Sequence, residues 1–336
     1  MRKVAWTAWE AHPANNTMLR ILTALVLLPL AQALAEPTHR LFVTNEAGDS
    51  VTVIDTRSGA VEATVPVGGR PRGIGFSPDR KLVYVALGND NAIGVLNTAS
   101  LKLERTIPAG SDPEAFAVHP DGTIYLSNED DGLATALNPE SGEILAEIKV
   151  GLEPEGVGVS PDGQQVLVTS ESSNMVHVIS VADKRLVANI LVGARPREVA
   201  FSPDGKYFWV TSEVAGHVSK VDRATNRIVV ANKQLRRQIS PRVKPKGVLL
   251  SHDGARLYVS MGRGNSIAAL DPETLEVLET VETGVRTWGI ALSRDGKRLY
   301  AANGPDATVS VVDTATMSEI KTIPTGAMPW GVALDD

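Results

Sequence analysis

A four-residue turn that returns along most of the chain constrains its fold more than any other feature. Ser77-Pro78-Asp79 comes back as His119-Pro120-Asp121-Gly122, Ser160-Pro161-Asp162-Gly163 and Ser202-Pro203-Asp204-Gly205, then as Ser251-His252-Asp253-Gly254 and Ser293-Arg294-Asp295-Gly296. Successive aspartates stand 42, 41, 42, 49 and 42 residues apart. Proline at the second position and glycine at the fourth suit a type I turn. A fixed period of this length marks a chain assembled from one repeated unit.

Each unit reads as four short strands. A strand such as Gly73-Ile74-Gly75-Phe76 precedes the turn and one such as Leu82-Val83-Tyr84-Val85 follows it. A third strand, as in Val51-Thr52-Val53-Ile54-Asp55, leads to a fourth, as in Thr64-Val65-Pro66-Val67. Proline in the fourth strand is tolerated at a sheet edge, since it cannot donate to a ladder. Four short strands per repeat predict a β-propeller blade. Complete units span 69–110, 111–151, 152–193, 194–243, 244–284 and 285–326, whereas 40–68 holds only three strands. Gly331-Val332-Ala333-Leu334 supplies the missing inner strand. The expectation is therefore an all-β, seven-bladed propeller of four-stranded blades, with the C-terminal strand completing the N-terminal blade. Gly and Pro, 29 and 20 of them, are spread along the length and break any long helical period.

The start of the chain reads differently. Leu19-Arg20 is followed by the apolar run Ile21–Leu30 and by Ala33-Leu34-Ala35, the pattern of a secretory signal. Residues 1–35 are read as an N-terminal extension plus signal peptide, with Met18 as the true start, and 36–336 as the single propeller domain. Export to a periplasm is expected, with no transmembrane span in the mature chain. Net charge is −6, so nothing global points to nucleic acid. With no cysteine, disulfides, thiolate metal sites and c-type haem attachment are excluded.

Phe42-Val43-Thr44-Asn45 and its echoes Tyr125-Leu126-Ser127-Asn128, Leu167-Val168-Thr169-Ser170 and Trp209-Val210-Thr211-Ser212 resemble the YVTN β-propeller repeat. The resemblance covers essentially the whole mature chain. Within that family, the export signal, length and repeat resemble the periplasmic propellers associated with pyrroloquinoline-quinone (PQQ)-dependent alcohol catabolism. A periplasmic quinoprotein dehydrogenase, its cytochrome or a quinone ligand is what that resemblance implies as partner, and a monomer is expected.

In a propeller, the loops joining blades surround the mouth of the central channel and are natural recognition positions. They read Arg70-Pro71-Arg72, Asp112-Pro113-Glu114, Glu153-Pro154-Glu155, Arg195-Pro196-Arg197, Lys244-Pro245-Lys246, Arg286-Thr287-Trp288 and Met328-Pro329-Trp330. A second ring, Glu46, Glu129, Glu171 and Glu213, follows the second strands. Two readings stand side by side. The carboxylates pair with arginines of neighbouring blades and fix the blades' rotation. Alternatively Arg70, Arg72, Arg195, Arg197, Lys244, Lys246 and Arg286, with Trp288 and Trp330, hold an anionic aromatic ligand or an acidic protein patch. The 49-residue spacing places an insertion at 233–242 near the same face, as a solvated loop or as a lip over the channel.

Catalytic constellations are not visible. The six histidines fall outside the mouth loops and none share metal-pair spacing. No serine sits in a nucleophile elbow. No metal or cofactor is expected, and neither PQQ nor haem binding finds support in the residues themselves. The reading is a non-catalytic binding or accessory protein. The alternative is an enzyme or cofactor protein on the same scaffold, lactonase-like or d1-haem-binding.

Overall fold

The computed structural model describes residues 36–336. The expected signal peptide and the start at Met18 lie outside the described residues.

The described chain forms seven four-stranded antiparallel sheets arranged as a propeller. Blade one pairs Pro329–Asp335 with Arg40–Asn45, so the last strand of the chain completes the first sheet. Blade two runs from Pro71–Phe76 to Leu103–Pro108, and blades three, four and five begin at Pro113–Val118, Pro154–Val159 and Pro196–Phe201. Blades six and seven begin at Val248–Leu250 and Thr287–Leu292. The only α-helix among the described residues is one turn, Leu235–Gln238, inside the insertion.

Second and third strands are buried on both faces and read as nearly continuous apolar runs, such as Leu82–Leu87 and Ala92–Asn97. Fourth strands face solvent and keep a buried residue near their end, as Val65, Ile107 and Ile323 do. The core is divided into seven clusters, each straddling one joint between neighbouring blades. Phe42, Val51 and Val53 of blade one meet Val83, Val85 and Leu87 of blade two in this way. Leu235 and Val243 of the insertion are fully buried in the joint between blades five and six. The insertion is therefore anchored by its own apolar residues and is not merely a solvated loop.

The third letter of the repeated motif explains how the joints lock. The first strand of six blades carries a one-residue bulge, for example between Pro71 and Ile74 and between Pro196 and Val199. A bulge leaves residues unpaired and re-aims their side chains. The Thr169 hydroxyl accepts from the N–H of Gly156 in its own bulge at 2.8 Å and donates to the Arg197 carbonyl of the next blade at 2.8 Å. Thr44, Ser127, Thr211 and Ser260 repeat this staple toward Arg72, Glu155, Lys246 and Trp288. Blades two and seven have Ala86 and Ala302 there. Their joints are bridged by Arg70 and Arg72 on Glu114 and by the Trp288–Trp330 pair.

Ring closure has its own latch. Asp335 accepts from the Thr38 N–H at 2.8 Å and pairs with Arg80 at 2.7 Å. Arg80 stands where the other turns have glycine, with φ of 60°, and its guanidinium also reaches the Leu334 carbonyl.

Candidate functional site

The loops that enter the first strands deliver two residues per blade to the channel mouth, with a bulge behind them in six of the seven blades. The outer ring is Arg70, Asp112, Glu153, Arg195, Lys244, Arg286 and Met328. All but Lys244 are left-handed, with φ between 45° and 58°. Such a conformation is strained for residues other than glycine. It is held by side chains of the preceding blade: Asp49 accepts the Arg70 N–H, Asn174 that of Arg195 and Asn265 that of Arg286. The inner ring is Arg72, Glu114, Glu155, Arg197, Lys246, Trp288 and Trp330. The second-ring glutamates lie alongside because their own N–H groups bond to the outer ring: Glu129 to Asp112, Glu171 to Glu153 and Glu213 to Arg195.

The structure brings both sets of expected residues together, and most of them satisfy one another. Arg197, 5% exposed in its side chain, pairs with Glu155 at 2.5 Å, with Glu171, and with Glu213 at 3.6 Å. Arg72 bonds Glu46 at 2.7 Å and Glu114. Lys246 reaches Glu155 at 3.2 Å. Burial opposes ionisation of Glu155, but Arg197, Lys246 and Arg72 hold its carboxyl well below the usual range. Burial and the charge of Arg197 push the Lys246 ammonium down. Asp112, Glu114 and Glu129 converge with oxygens within 4.8 Å of one another, and the Arg70 guanidinium bonds all three. A resident cation thus holds the place a divalent ion would need.

Trp288 and Trp330, 6% and 4% exposed, pack on each other with centroids 5.7 Å apart and planes inclined by 54°. Lys246 lies 4.3 and 3.9 Å from their centroids, and Arg286 lies 4.5 Å from that of Trp288. They form wall and plug more than an open stacking face.

The balance fails on one side of the mouth. Blades one, three, four and five carry a second-ring glutamate, whereas blades two, six and seven have Gly88, Gly262 and Gly304 there. In blade two the loss is made good by Asp112, Glu114 and Glu129 of blade three, which pair with Arg70. Lys244 consequently finds only Glu213, at 3.8 Å, and Arg286 pairs with no carboxylate among the described residues. A cleft of about 570 Å³ opens beside them, lined by Arg236, Arg242, Lys244, Arg263 and Arg286, with no carboxylate in its lining. Arg242 and Arg263 likewise form no salt bridge among the described residues. Burial, with Arg263 and other neighbouring cations, lowers the Arg286 pKa. Bidentate guanidiniums converging on a partly desolvated cleft are suited to carboxylates or phosphates. Of the expected residues, Lys244 and Arg286 face this cleft. Arg242 lies in the 233–242 insertion expected as a lip, whereas Arg263, Gly262 and Gly304 were missed as site determinants, although aligning the blades position by position carries that signal.

None of the described histidines lines the funnel or the cleft. His177 is buried, accepting the Gly151 N–H and meeting Asn189 at 2.6 Å. The mouth thus offers no histidine as axial haem ligand. No helix of the described residues is long and apolar enough to cross a membrane.

Residues 157–323 match the model of the family described as "Lactonase, 7-bladed beta-propeller". That stretch reaches from blade four into blade seven and includes the cleft. No curated protein matches the sequence significantly. Among solved structures, hydrazine synthase of Kuenenia stuttgartiensis is similar at 23% identity with a TM-score of 0.73, over 84% of this chain and 94% of that one. A functionally unknown protein of Desulfotomaculum acetoxidans is similar at 14% identity and a TM-score of 0.75, over 88% and 99%. Dihydro-heme d1 dehydrogenase NirN is similar at 18% identity and a TM-score of 0.66, over 91% and 78%. At such identities the likeness establishes the fold alone.

Proposed function

We propose that this is an exported binding protein whose ligand is a polyanion held in the cleft between blades five and seven. One observation carries the reading. Gly262 and Gly304 flank Arg286 without a carboxylate, and no acidic loop follows as it does beyond Gly88 at Arg70, so Lys244, Arg263 and Arg286 face about 570 Å³ of open volume. Pockets of roughly 300–1,000 Å³ suit small-molecule ligands. The YVTN resemblance nominates PQQ, an aromatic polycarboxylate, as that ligand, and a periplasmic quinoprotein dehydrogenase or its cytochrome as the protein it serves. Arg286 and Lys244 would hold carboxylates by charge-assisted hydrogen bonds, and Arg263 would close the ring of donors.

Calorimetric titration of PQQ into wild type and into an Arg263→Glu/Arg286→Glu variant tests this. Saturable binding that weakens with salt and falls at least ten-fold in the variant is expected. Equal affinity in both proteins, or no binding to wild type, overturns it.

The match to the lactonase model favours a second reading, hydrolysis of a lactone bearing an acidic group held by the same cations. Acid release from such lactones in a pH-stat, lost in the charge-reversed variant, would select it over pure binding.

A further inference from the structure

Beneath the ionic layer lies a separate chamber of about 190 Å³. It shares no lining residue with the funnel above. Its wall is made of first-strand backbone at the small-residue positions, which leaves most of its surface polar, and of apolar side chains, Phe116, Val199 and Ile290 among these. Small residues belong there because neighbouring blades almost touch. A Cβ on Gly156 would lie 1.9 Å from the Arg197 carbonyl oxygen, and one on Gly331 would lie 2.6 Å from that of Arg72.

Blade five breaks this rule. Six blades place Gly73, Ala115, Gly156, Gly247, Gly289 and Gly331 at this position, whereas blade five places Glu198. Glu198 keeps the same staple, its N–H reaching the Thr211 hydroxyl at 3.2 Å. Its half-buried side chain lines the chamber and forms no salt bridge among the described residues. Trp330 lines the same chamber, and its buried indole N–H has no hydrogen-bond partner among the described residues. Buried polar groups are normally paired, so the Trp330 N–H marks a place where a ligand completes the bonding, with the Glu198 carboxyl beside it in the same wall.

We propose that the chamber is a second binding site, distinct from the cleft, for a small neutral hydroxylated molecule of about benzene size. The hydroxyl bonds Glu198 and the hydrocarbon body lies on Phe116, Val199 and Ile290. An apolar cavity of about 150 Å³ already takes benzene, so the size fits. Burial pushes the Glu198 carboxyl up, and a carboxyl offers a ligand an acceptor when ionised and a donor when protonated. A hydroxyl both donates and accepts and serves either state. Lys246 and Arg197 act on Glu198 from above and disfavour a cationic ligand.

Titrating the full-length protein with phenol and with toluene, which has the same shape but no hydroxyl, tests the assignment. Phenol binds at least ten-fold tighter than toluene, and Glu198→Leu erases that preference while leaving PQQ affinity unchanged. Val199→Phe, which fills the chamber, abolishes binding of both. Equal binding of phenol and toluene to wild type, no binding of either, or phenol binding that survives Val199→Phe overturns the proposal. Should a variant fail to fold, methyl resonances of Ile74 and Ile290 in wild type decide it: phenol shifts them if the chamber is the site, and binding without shifts overturns it. Loss of this site leaves the polyanion cleft standing, because the two share no lining residue.

Discussion

Arg195 and Arg197 stand two positions apart in one loop and have opposite fates. Arg195 is 46% exposed in its side chain, whereas Arg197 is 5% exposed and contacts three carboxylates of which Glu155 and Glu171 are themselves buried. Removing one member of a buried network strands its partners, which costs about 3–5 kcal/mol. Removing an exposed partner costs less than about 1 kcal/mol. Urea denaturation of Arg197→Met and Arg195→Met is expected to show this difference, and similar losses in both would contradict the network described. The sequence places both arginines at the mouth through their repeat positions. It does not say which one turns inward, because that depends on the bulge and on the neighbouring blade's glutamate. The pairing of second-ring glutamates with arginines was readable as one of two options, and most of the expected basic residues are now placed in it. Trp288 and Trp330 were equally visible as equivalents on adjacent blades, but their mutual packing required the actual angle between blades.

At the scale of elements, the Ser-x-Asp turns are the units most fully legible in advance. The serine hydroxyl donates to the aspartate in five of them, from Ser77–Asp79 to Ser293–Asp295, and the aspartate accepts an N–H two residues on. The hydroxyl of Ser160 lowers the Asp162 carboxyl to about 2, and that of Ser202 lowers Asp204 to about 2. An unfolded aspartate titrates near about 3.9, so the unfolded chain takes up protons first as pH falls. These bonds therefore stabilise fully above about pH 5 and fade toward about pH 2. Urea midpoints of a Ser160→Ala/Ser202→Ala variant should lie below wild type at pH 7 by a gap that narrows toward about pH 2, the remainder coming from the bonds that the same hydroxyls accept from the Gln165 and Tyr207 N–H groups. A gap that stays constant with pH would contradict this coupling. The first-strand bulge, by contrast, left no trace in the period, since one extra residue is absorbed into each of the six repeats that carry it. The hydroxyl staples were present in the sequence as the third letter of the motif, but their inter-blade partner was not.

For the whole molecule, seven sheets closed by Pro329–Asp335 follow from counting repeats and the split unit, and the structure shows that closure. The ring gives each mouth residue two neighbours, so Arg286, set between Gly262 and Gly304, pairs with no carboxylate among the described residues, whereas Arg70 beside Gly88 is met by Asp112, Glu114 and Glu129 of blade three. This makes the cleft a property of the circle, governed by Gly262 and Gly304, and no single local motif contains it. The insertion adds Arg236 and Arg242 to the same side because Leu235 and Val243 bury themselves in the adjoining joint. The central claim is that uncompensated positive charge is concentrated there and not spread around the mouth. Its most direct test is an anomalous difference map from crystals soaked in selenate, a divalent oxyanion with a locatable scatterer. The account predicts the strongest peak among Arg242, Arg263 and Arg286. A strongest peak beside Arg70 or Arg195, or no peak in the cleft, would contradict it.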